Sequence, residues 1–180
     1  MELRKAVDNL CLFDPQFEAD NSRMVQSTGG STVAHAITSL SDINDAIKQY
    51  TNVKLVVFNT HGVPGGIRLP NGLAFSMEFM DMGSNPIFLS REARVLFLGC
   101  NVGEDVAGDK FIDKAGGHIL KGKGGYIGAT TVANFTLGWV IPETTMFGFS
   151  DSTRLKVRRF DTEGKMISGL NVHARKGFVN

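Results

Sequence analysis

The chain contains few cysteines and no long run of apolar residues. Its two cysteines, Cys11 and Cys100, stand in apolar sequence without a Cys-x-x-Cys motif, so neither a disulfide framework nor a zinc knuckle is indicated. The longest apolar runs are strand-sized, far below the roughly 20 residues that a membrane-spanning helix requires. Charged residues interrupt residues 1–20 before the apolar core of a signal peptide develops. We therefore expect no membrane insertion, and a location in the cytoplasm or export without a classical signal peptide.

The chain also lacks a strong excess of charge of either sign. Lys and Arg total 19 and Asp and Glu total 18, which gives a formal net charge of +1. Nucleic-acid-binding domains usually carry a clustered basic surface, and only residues 154–159 form a short basic stretch. The 4 histidines make no i, i+4 pair, so no metal site is predicted. The segment GKGGYIG lacks the Lys-Ser/Thr pair of a phosphate-binding loop, and we expect no cofactor and no nucleic-acid partner.

The hydrophobic pattern predicts one α/β domain over residues 1–180. A chain of this length buries about two-thirds of its surface without help from disulfides or metals, and we find neither an internal repeat nor a linker. Strands are predicted at residues 7–13, 53–59, 94–99 and 125–129. The second and third of these are nearly continuous apolar runs, which is typical of central strands covered on both faces.

Helices and turns separate these strands. A helix over residues 42–50 with Ser41 as its cap and a second helix over residues 104–115 are predicted. Pro-Asn-Gly within IRLPNGLAF predicts a small β-hairpin, and residues 154–170 read as an antiparallel hairpin at a sheet edge. This order indicates a mainly parallel central sheet flanked by helices, with a small β-hairpin insertion.

Two reactive side chains directly follow apolar strands. His61 follows VVFNT, and Cys100 follows VLFLG. Functional groups in an open parallel sheet gather beyond the carboxyl ends of the strands, so neighbouring strands would bring this pair together. A cysteine attacks only as the thiolate, which a nearby imidazole or a helix N-terminus favours. We expect residues 101–104 to open the next helix and so place its positive end beside Cys100.

Other residues have weaker claims to a role. The amides of Gly62 and Cys100 are the candidates for an oxyanion hole, since the glycines beside the pair leave the backbone open to substrate. Asp105 and Asp109 either orient His61 as a third catalytic member or lie on a solvated helix face. Cys11 and His35 stand in apolar surroundings and are predicted to be structural. A set of aromatic residues either lines a substrate groove or belongs to the core: Phe135, Trp139, Phe147 and Phe149.

Three segments together resemble one family. NTHG after the first apolar run, LGCNVG after the second and GGYIGAT after both resemble the caspase-like cysteine peptidases, which include caspases, legumain, clostripain, gingipains and the CHAT domains. The bacterial CHAT-like branch has the nearest pattern. Its His-Gly is matched at residues 61–62, its Cys-x-x-Gly at residues 100–103 and its Gly-Ala at residues 128–129. The similarity spans residues 53–131.

The resemblance implies a caspase-like three-layer sandwich and a cysteine endopeptidase that needs no metal. Cys100 would form a thioester with the substrate, and His61 would protonate the leaving amine. By the same resemblance, Asn59, Thr130 and Thr131 would line the pocket for the substrate residue before the cut. Caspases carry Gln-Ala-Cys where this chain has Leu-Gly-Cys, so the preference of caspases for aspartate is not implied.

The expected partner is a protein or peptide substrate, and a regulatory or delivery partner is also compatible with the sequence. Two alternatives stay open. One is a catalytically silent caspase-like interaction module that binds a partner through a sheet edge, and the other is a bacterial effector or toxin that uses the dyad for acyl transfer. Reactivity of the thiol would separate the first alternative from a peptidase, and the reaction products would separate the second.

Overall fold

The computed structural model describes residues 4–27, 30–131, 154–173 and 177–179 of the chain. The strands are β1 (Lys5–Ala6), β2 (Asn9–Phe13), β3 (Thr32–Ala36), β4 (Tyr50–Thr51), β5 (Val53–Asn59), β6 (His61–Val63), β7 (Gly66–Leu69), β8 (Gly72–Ala74), β9 (Leu89–Phe97), β10 (Gly125–Thr130), β11 (Arg154–Phe160), β12 (Met166–His173) and β13 (Gly177–Val179). The α-helices are α1 (Glu18–Ser27), α2 (Leu40–Gln49), α3 (Met80–Ser84) and α4 (Asp105–Ile119). Two short 3-10 helices are Pro15–Phe17 and Ser76–Phe79.

A large mixed sheet organises the fold. Its strand order is β13-β12-β11-β10-β9-β5-β2-β3. The strands from β3 to β10 in this order pair in parallel, whereas β11, β12 and β13 pair antiparallel. The α/β class is therefore confirmed, with a parallel half and an antiparallel extension. The predicted C-terminal hairpin is β11 and β12, but β13 lies outside it as the last described strand of the sheet.

Both faces of the central strands are buried, as the continuous apolar runs predict. On one face, Val56 and Phe58 of β5 belong to the larger apolar cluster, whose aromatic centre is Phe58, Phe79, Phe97 and Phe111. On the other face, Leu55 and Val57 pack with Leu96 and Leu98 in a smaller cluster. Alternate side chains of one strand thus enter two separate cores, which fixes the register of β5 between its neighbours.

The predicted hairpin insertion is present and is larger than expected. Strands β7 and β8 pair antiparallel around Pro70 and Asn71, and β6 adds a third strand on the other side of β7. His61 is the first residue of β6 and lies opposite Arg68. The small sheet therefore begins at the candidate catalytic histidine.

Two helix boundaries differ from the prediction. Ser39, not Ser41, caps α2, because Asp42 lies three residues after Ser39 and its carboxylate accepts a hydrogen bond from the Ser39 amide at 2.9 Å. Helix α4 continues through Gly116 to Ile119. A Cβ atom at position 116 would overlap the ring of Phe160, so this glycine permits close packing of α4 on the sheet instead of ending the helix.

Several elements are absent from the sequence-based prediction. Helix α1, strand β3 and the helical turns between β8 and β9 were not expected, and β9 begins before the predicted residue 94. The aromatic set at residues 135–149 lies outside the described residues. Within the described ranges, no helix has the length and apolar character needed to cross a membrane.

Candidate active site

His61 and Cys100 lie at equivalent positions beyond two neighbouring strands. Strands β5 and β9 are adjacent and parallel, and Phe58 pairs with Phe97. His61 and Cys100 each follow three residues after this pair. Because hydrogen-bonded strands are about 4.8 Å apart, the predicted adjacency of the two strands is sufficient to bring the two segments together.

Two glycines let the segments touch through their backbones. A Cβ atom on Gly99 would lie 2.8 Å from the carbonyl oxygen of His61. A Cβ atom on Gly62 would overlap the carbonyl oxygen of Cys100 and would lie 2.6 Å from the Val102 side chain. Real Cβ atoms do not approach this closely, so residues 61–62 and 99–100 pack at a distance that only glycine allows. The two amides predicted for an oxyanion hole, those of Gly62 and Cys100, thus belong to backbone segments in direct contact.

His61 is half-buried and is held by a segment that the sequence reasoning did not single out. Its Nε2 atom lies 3.1 Å from Oε1 of Gln16. The ring of Phe17 lies 4.9 Å from the imidazole, centroid to centroid, at an interplanar angle of 53°. Both residues belong to the 3-10 helix that follows β2, the other neighbour of β5. The sequence feature that could have indicated this contact is Asp14-Pro15. It ends the first predicted strand and so places the next residues at the same edge of the sheet.

Asp14 fixes this 3-10 helix. Its carboxylate accepts a hydrogen bond from the Gln16 amide at 3.0 Å, and its carbonyl oxygen accepts one from the Phe17 amide at 2.8 Å. The Asp14 amide donates to the carbonyl oxygen of Asn59 at 3.0 Å. Asp14 is 2% exposed. The backbone that carries Gln16 is therefore tied to β5 two residues before His61.

Cys100 is half-buried in a turn between β9 and α4. The Thr130 hydroxyl donates to the carbonyl oxygen of Gly99, and the Gly103 amide donates to the carbonyl oxygen of Thr130 at 2.7 Å. Strand β10 thus supports the turn on both sides of Cys100. The glycine of the Cys-x-x-Gly segment, Gly103, lies so close to the backbone of β10 that a side chain would not fit there.

The expected opening of a helix at residues 101–104 is wrong. Asn101 has a φ of 61°, in the left-handed region that asparagine tolerates, and its carbonyl oxygen accepts a hydrogen bond from the Glu104 amide. These residues form a turn, Glu104 is the N-cap, and α4 begins at Asp105. Cys100 is thus separated from the helix by the turn, and the dipole of α4 falls off within its first turn. We therefore assign no activation of the thiol to this helix.

The three predicted pocket residues have different surroundings. Asn59 is 2% exposed, and its Nδ2 atom has no hydrogen-bond partner among the described residues. The hydroxyl of the neighbouring Thr60 is also buried and also has no hydrogen-bond partner among the described residues. Thr130 is fully buried and its hydroxyl is bound to Gly99, whereas Thr131 is half-buried. Their contribution to substrate binding stays a prediction.

Asp109, one of the two aspartates proposed to orient the histidine, is engaged by β11 instead. The Asp109 carboxylate accepts hydrogen bonds from Lys156 at 3.0 Å and from Arg158 at 2.9 Å. Lys156 also donates to the backbone carbonyl of Asp105. Asp109 therefore joins α4 to β11, whereas Gln16 supplies a side-chain acceptor beside His61.

Cys11 and His35 have the structural environments that were predicted. Cys11 is 1% exposed and its thiol donates to Oδ1 of Asn21 at 2.8 Å. Burial raises the pKa of the Cys11 thiol far above its ordinary value, which suppresses the reactive thiolate. Nε2 of His35 lies 2.6 Å from the Tyr50 hydroxyl, and partial burial lowers the pKa of His35. No group of three His, Cys, Asp or Glu side chains in the described ranges could hold a metal ion.

Comparison with known proteins gives one family. The model of a domain of unknown function, DUF4347, matches residues 18–119. The match contains both His61 and Cys100, and it ends at the last residue of α4. Gln16, β2 and the strands from β10 onward lie outside it. No curated protein matches the chain at a significant level.

Proposed function

Because the chain belongs to the DUF4347 family, whose description assigns no activity, we propose its function from the site: a cysteine endopeptidase that uses His61 and Cys100. One observation carries the proposal. The backbones of residues 61–62 and 99–100 touch at the ends of adjacent parallel strands, and Gln16 and Phe17 contact the imidazole. A nucleophile, a base and a residue that orients the base are the parts that thiol catalysis needs.

The proposed reaction begins with proton transfer from the Cys100 thiol to His61. The thiolate attacks the carbonyl carbon of the substrate peptide bond, the C–S bond forms, and the carbonyl electron pair moves to oxygen. The amides of Gly62 and Cys100 donate to this oxyanion. When the tetrahedral species collapses, the C–N bond breaks and the amine leaves with the proton from His61. Water then hydrolyses the thioester, with His61 as the base.

Three features support the finer proposal of a caspase-like fold related to the CHAT-like branch. The catalytic histidine and cysteine follow adjacent parallel strands. A small β-sheet begins at the histidine. Strand β10 carries the Gly-Ala segment at residues 128–129 and pairs with β9, the strand that precedes Cys100. These features agree with the motifs at residues 53–131 on which the resemblance is based.

The substrate contact in this proposal comes from the end of β5. A buried amide donor without a partner costs stability in the unbound protein. Asn59 lies two residues before His61, and its amide donor has no partner among the residues that the structure describes. We assign to Asn59 a hydrogen bond to an acceptor of the substrate, with Thr131 at the edge of the same site. Thr130 acts by holding the carbonyl of Gly99 and thereby the turn that carries Cys100.

Thiol labelling tests the dyad directly. Intact-mass measurement with iodoacetamide at mildly acidic pH compares the wild type with Cys100→Ala, His61→Ala and, as the matched cysteine control, Cys11→Ala. We expect fast single labelling in the wild type and in Cys11→Ala, none in Cys100→Ala, and labelling about ten- to a hundredfold slower in His61→Ala. The same spectra report self-cleavage. Slow labelling in every variant, or labelling at Cys11, would contradict an activated thiol.

An open sheet edge favours a second candidate. In the described part of the chain, β3 is the outermost strand on its side of the sheet and pairs only with β2. Such an edge can accept a strand from another chain, as a catalytically silent interaction module would require. An unreactive Cys100 would favour this alternative. A reactive Cys100 whose products are acylated amines, instead of hydrolysed peptides, would identify the acyl-transfer effector.

A further inference from the structure

Gln16, in the 3-10 helix that follows strand β2, contacts the imidazole of His61. We infer that Gln16 is the positioning residue that fixes the ring and selects the nitrogen that acts as base; the inference rests on the proposed function. The contact joins Nε2 of His61 to Oε1 of Gln16 at 3.1 Å. Gln16 lies outside the residues matched by the family model, and its sequence context contains no catalytic motif.

The contact of Oε1 with the ring favours one tautomer of His61. An amide oxygen accepts hydrogen bonds and cannot donate them. Nε2 of His61 is therefore the protonated nitrogen in this arrangement, and Nδ1 keeps the lone pair that can take the thiol proton. Phe17 packs against the same ring at 4.9 Å and restricts its rotation. One hydrogen bond and one ring contact thus determine which nitrogen of His61 keeps its lone pair.

The segment that carries Gln16 is rigid enough to serve this purpose. Pro15 restricts the backbone at the start of the 3-10 helix, and Asp14 accepts hydrogen bonds from the next two backbone amides. The Asp14 amide is bound to the carbonyl oxygen of Asn59. Although the Gln16 side chain is exposed, its backbone moves with β5, and the side chain loses less entropy on binding His61 than it would on a mobile loop.

A neutral acceptor differs from the carboxylate found in many triads. A carboxylate stabilises the imidazolium and orients the ring, whereas a glutamine orients the ring without a negative charge. Asp109 of α4 is bound instead to Lys156 and Arg158. The structure therefore assigns orientation of His61 to the amide oxygen of Gln16.

Two substitutions separate an acceptor from a packing role. Gln16→Met keeps the length of the side chain and removes the acceptor, and Gln16→Glu keeps an acceptor oxygen at the same reach. Gln49→Met is the matched control, since Gln49 is an exposed glutamine at the end of α2. The readouts are the nitrogen chemical shifts of the His61 ring, assigned by their absence in His61→Ala, and the rate of iodoacetamide labelling at Cys100.

We expect Gln16→Met to lower the population of the Nε2-protonated tautomer and to slow labelling about two- to tenfold, the range for loss of one exposed hydrogen bond. Gln16→Glu should keep the tautomer and at least the wild-type rate, and Gln49→Met should change neither. A wild-type tautomer in Gln16→Met, or equal losses in Gln16→Met and Gln16→Glu, would overturn the inference. Slow labelling in the wild type would count against the proposed peptidase, while the ring spectra would still decide the role of Gln16.

Discussion

At the scale of single residues, the site depends on the absence of two side chains. Gly62 and Gly99 allow the histidine and cysteine segments to touch, and each faces the backbone of the other segment. A backbone atom cannot rotate away as a flexible side chain can. A methyl group at either position must therefore push the segments apart, and this makes the geometry of the dyad sensitive to a very small substitution.

Gly62→Ala is the first prediction at this scale. The added Cβ would overlap the Cys100 carbonyl oxygen and the Val102 side chain, so we expect a loss of about 1–3 kcal/mol in the free energy of unfolding and slow labelling of Cys100. Gly117→Ala is the control, because Gly117 lies in α4 and the nearest atom to its added Cβ is 3.2 Å away. Urea unfolding and labelling rates measure both effects. Unchanged labelling in a folded Gly62→Ala variant would show that the close approach does not matter for reactivity.

Asn59→Leu gives the second prediction. The two side chains have the same branching, and the substitution removes a buried donor that has no partner in the described part of the chain. We expect the free energy of unfolding to stay equal or to rise by about 1 kcal/mol, while cleavage of substrates falls and labelling of Cys100 by the small reagent is retained. Thermal unfolding and a peptide-library assay measure the two properties. A destabilised Asn59→Leu variant would indicate a structural hydrogen bond and would remove the substrate contact from the proposal.

At the scale of elements, short polar contacts connect strands that are distant in sequence. Asp8 stands between β1 and β2, and its carboxylate accepts hydrogen bonds from the amide and the hydroxyl of Ser31, just before β3. Lys54 of β5 lies 2.7 Å from the same carboxylate. One side chain therefore connects the starts of three parallel strands, at the end of the sheet opposite the candidate site.

This arrangement predicts acid sensitivity. The hydrogen bond from Lys54, followed by the contacts with Ser31, lowers the pKa of Asp8 from 3.8 to about 2. Because the folded protein favours the carboxylate, this contribution to stability is fully present above about pH 4 and is lost as the pH falls through about 2. We expect the melting temperature of the wild type to fall more steeply over this window than that of Asp8→Asn. Parallel pH dependences of the two proteins would mean that other carboxyl groups dominate acid unfolding.

The comparison of sequence with structure also belongs to this scale. Strands β5 and β9 were predicted because central parallel strands are continuously apolar, and the β7–β8 hairpin was predicted from Pro-Asn-Gly. Strand β3 was not predicted, because the residues of Thr32–Ala36 alternate irregularly between partly buried and exposed, a pattern that fits several local structures. The cap of α2 was misplaced by two residues because Ser39 and Ser41 are both good caps, and only the hydrogen bonds of Asp42 distinguish them.

The candidate site was predictable to the extent that it follows strand ends. His61 and Cys100 were located from the two apolar runs before them, and the adjacency of the strands is now established. Gln16 was missed because its contact with His61 spans 45 residues of sequence and depends on β2 lying beside β5. The turn at residues 101–104 was misread as a helix start because its glycine and polar residues suit either structure. Non-local pairing and single backbone angles are not encoded in local periodicity.

At the scale of the whole molecule, the parallel sheet is assembled from strands that are not in sequence order. Strand β2 lies between β3 and β5, and Leu10, Cys11 and Leu12 in it are at most 1% exposed. Strand β10 covers the other side of β9. The residues matched by the family model, 18–119, contain neither of these strands. The match therefore contains the candidate catalytic pair without the strands that hold it in place.

The last prediction follows from this topology. We expect a fragment of residues 18–119 to lack cooperative folding, because β3 and β5 lose their common neighbour. Burial of a leucine contributes about 1.5–3 kcal/mol, so losing Leu10 and Leu12 alone removes a large part of the roughly 5–15 kcal/mol that stabilises a domain. Circular dichroism during heating, compared with the chain of residues 1–180, measures cooperativity. A sigmoidal melt of the fragment with native-like secondary structure would contradict this view, since the dyad segments could then fold without β2, β10 and Gln16.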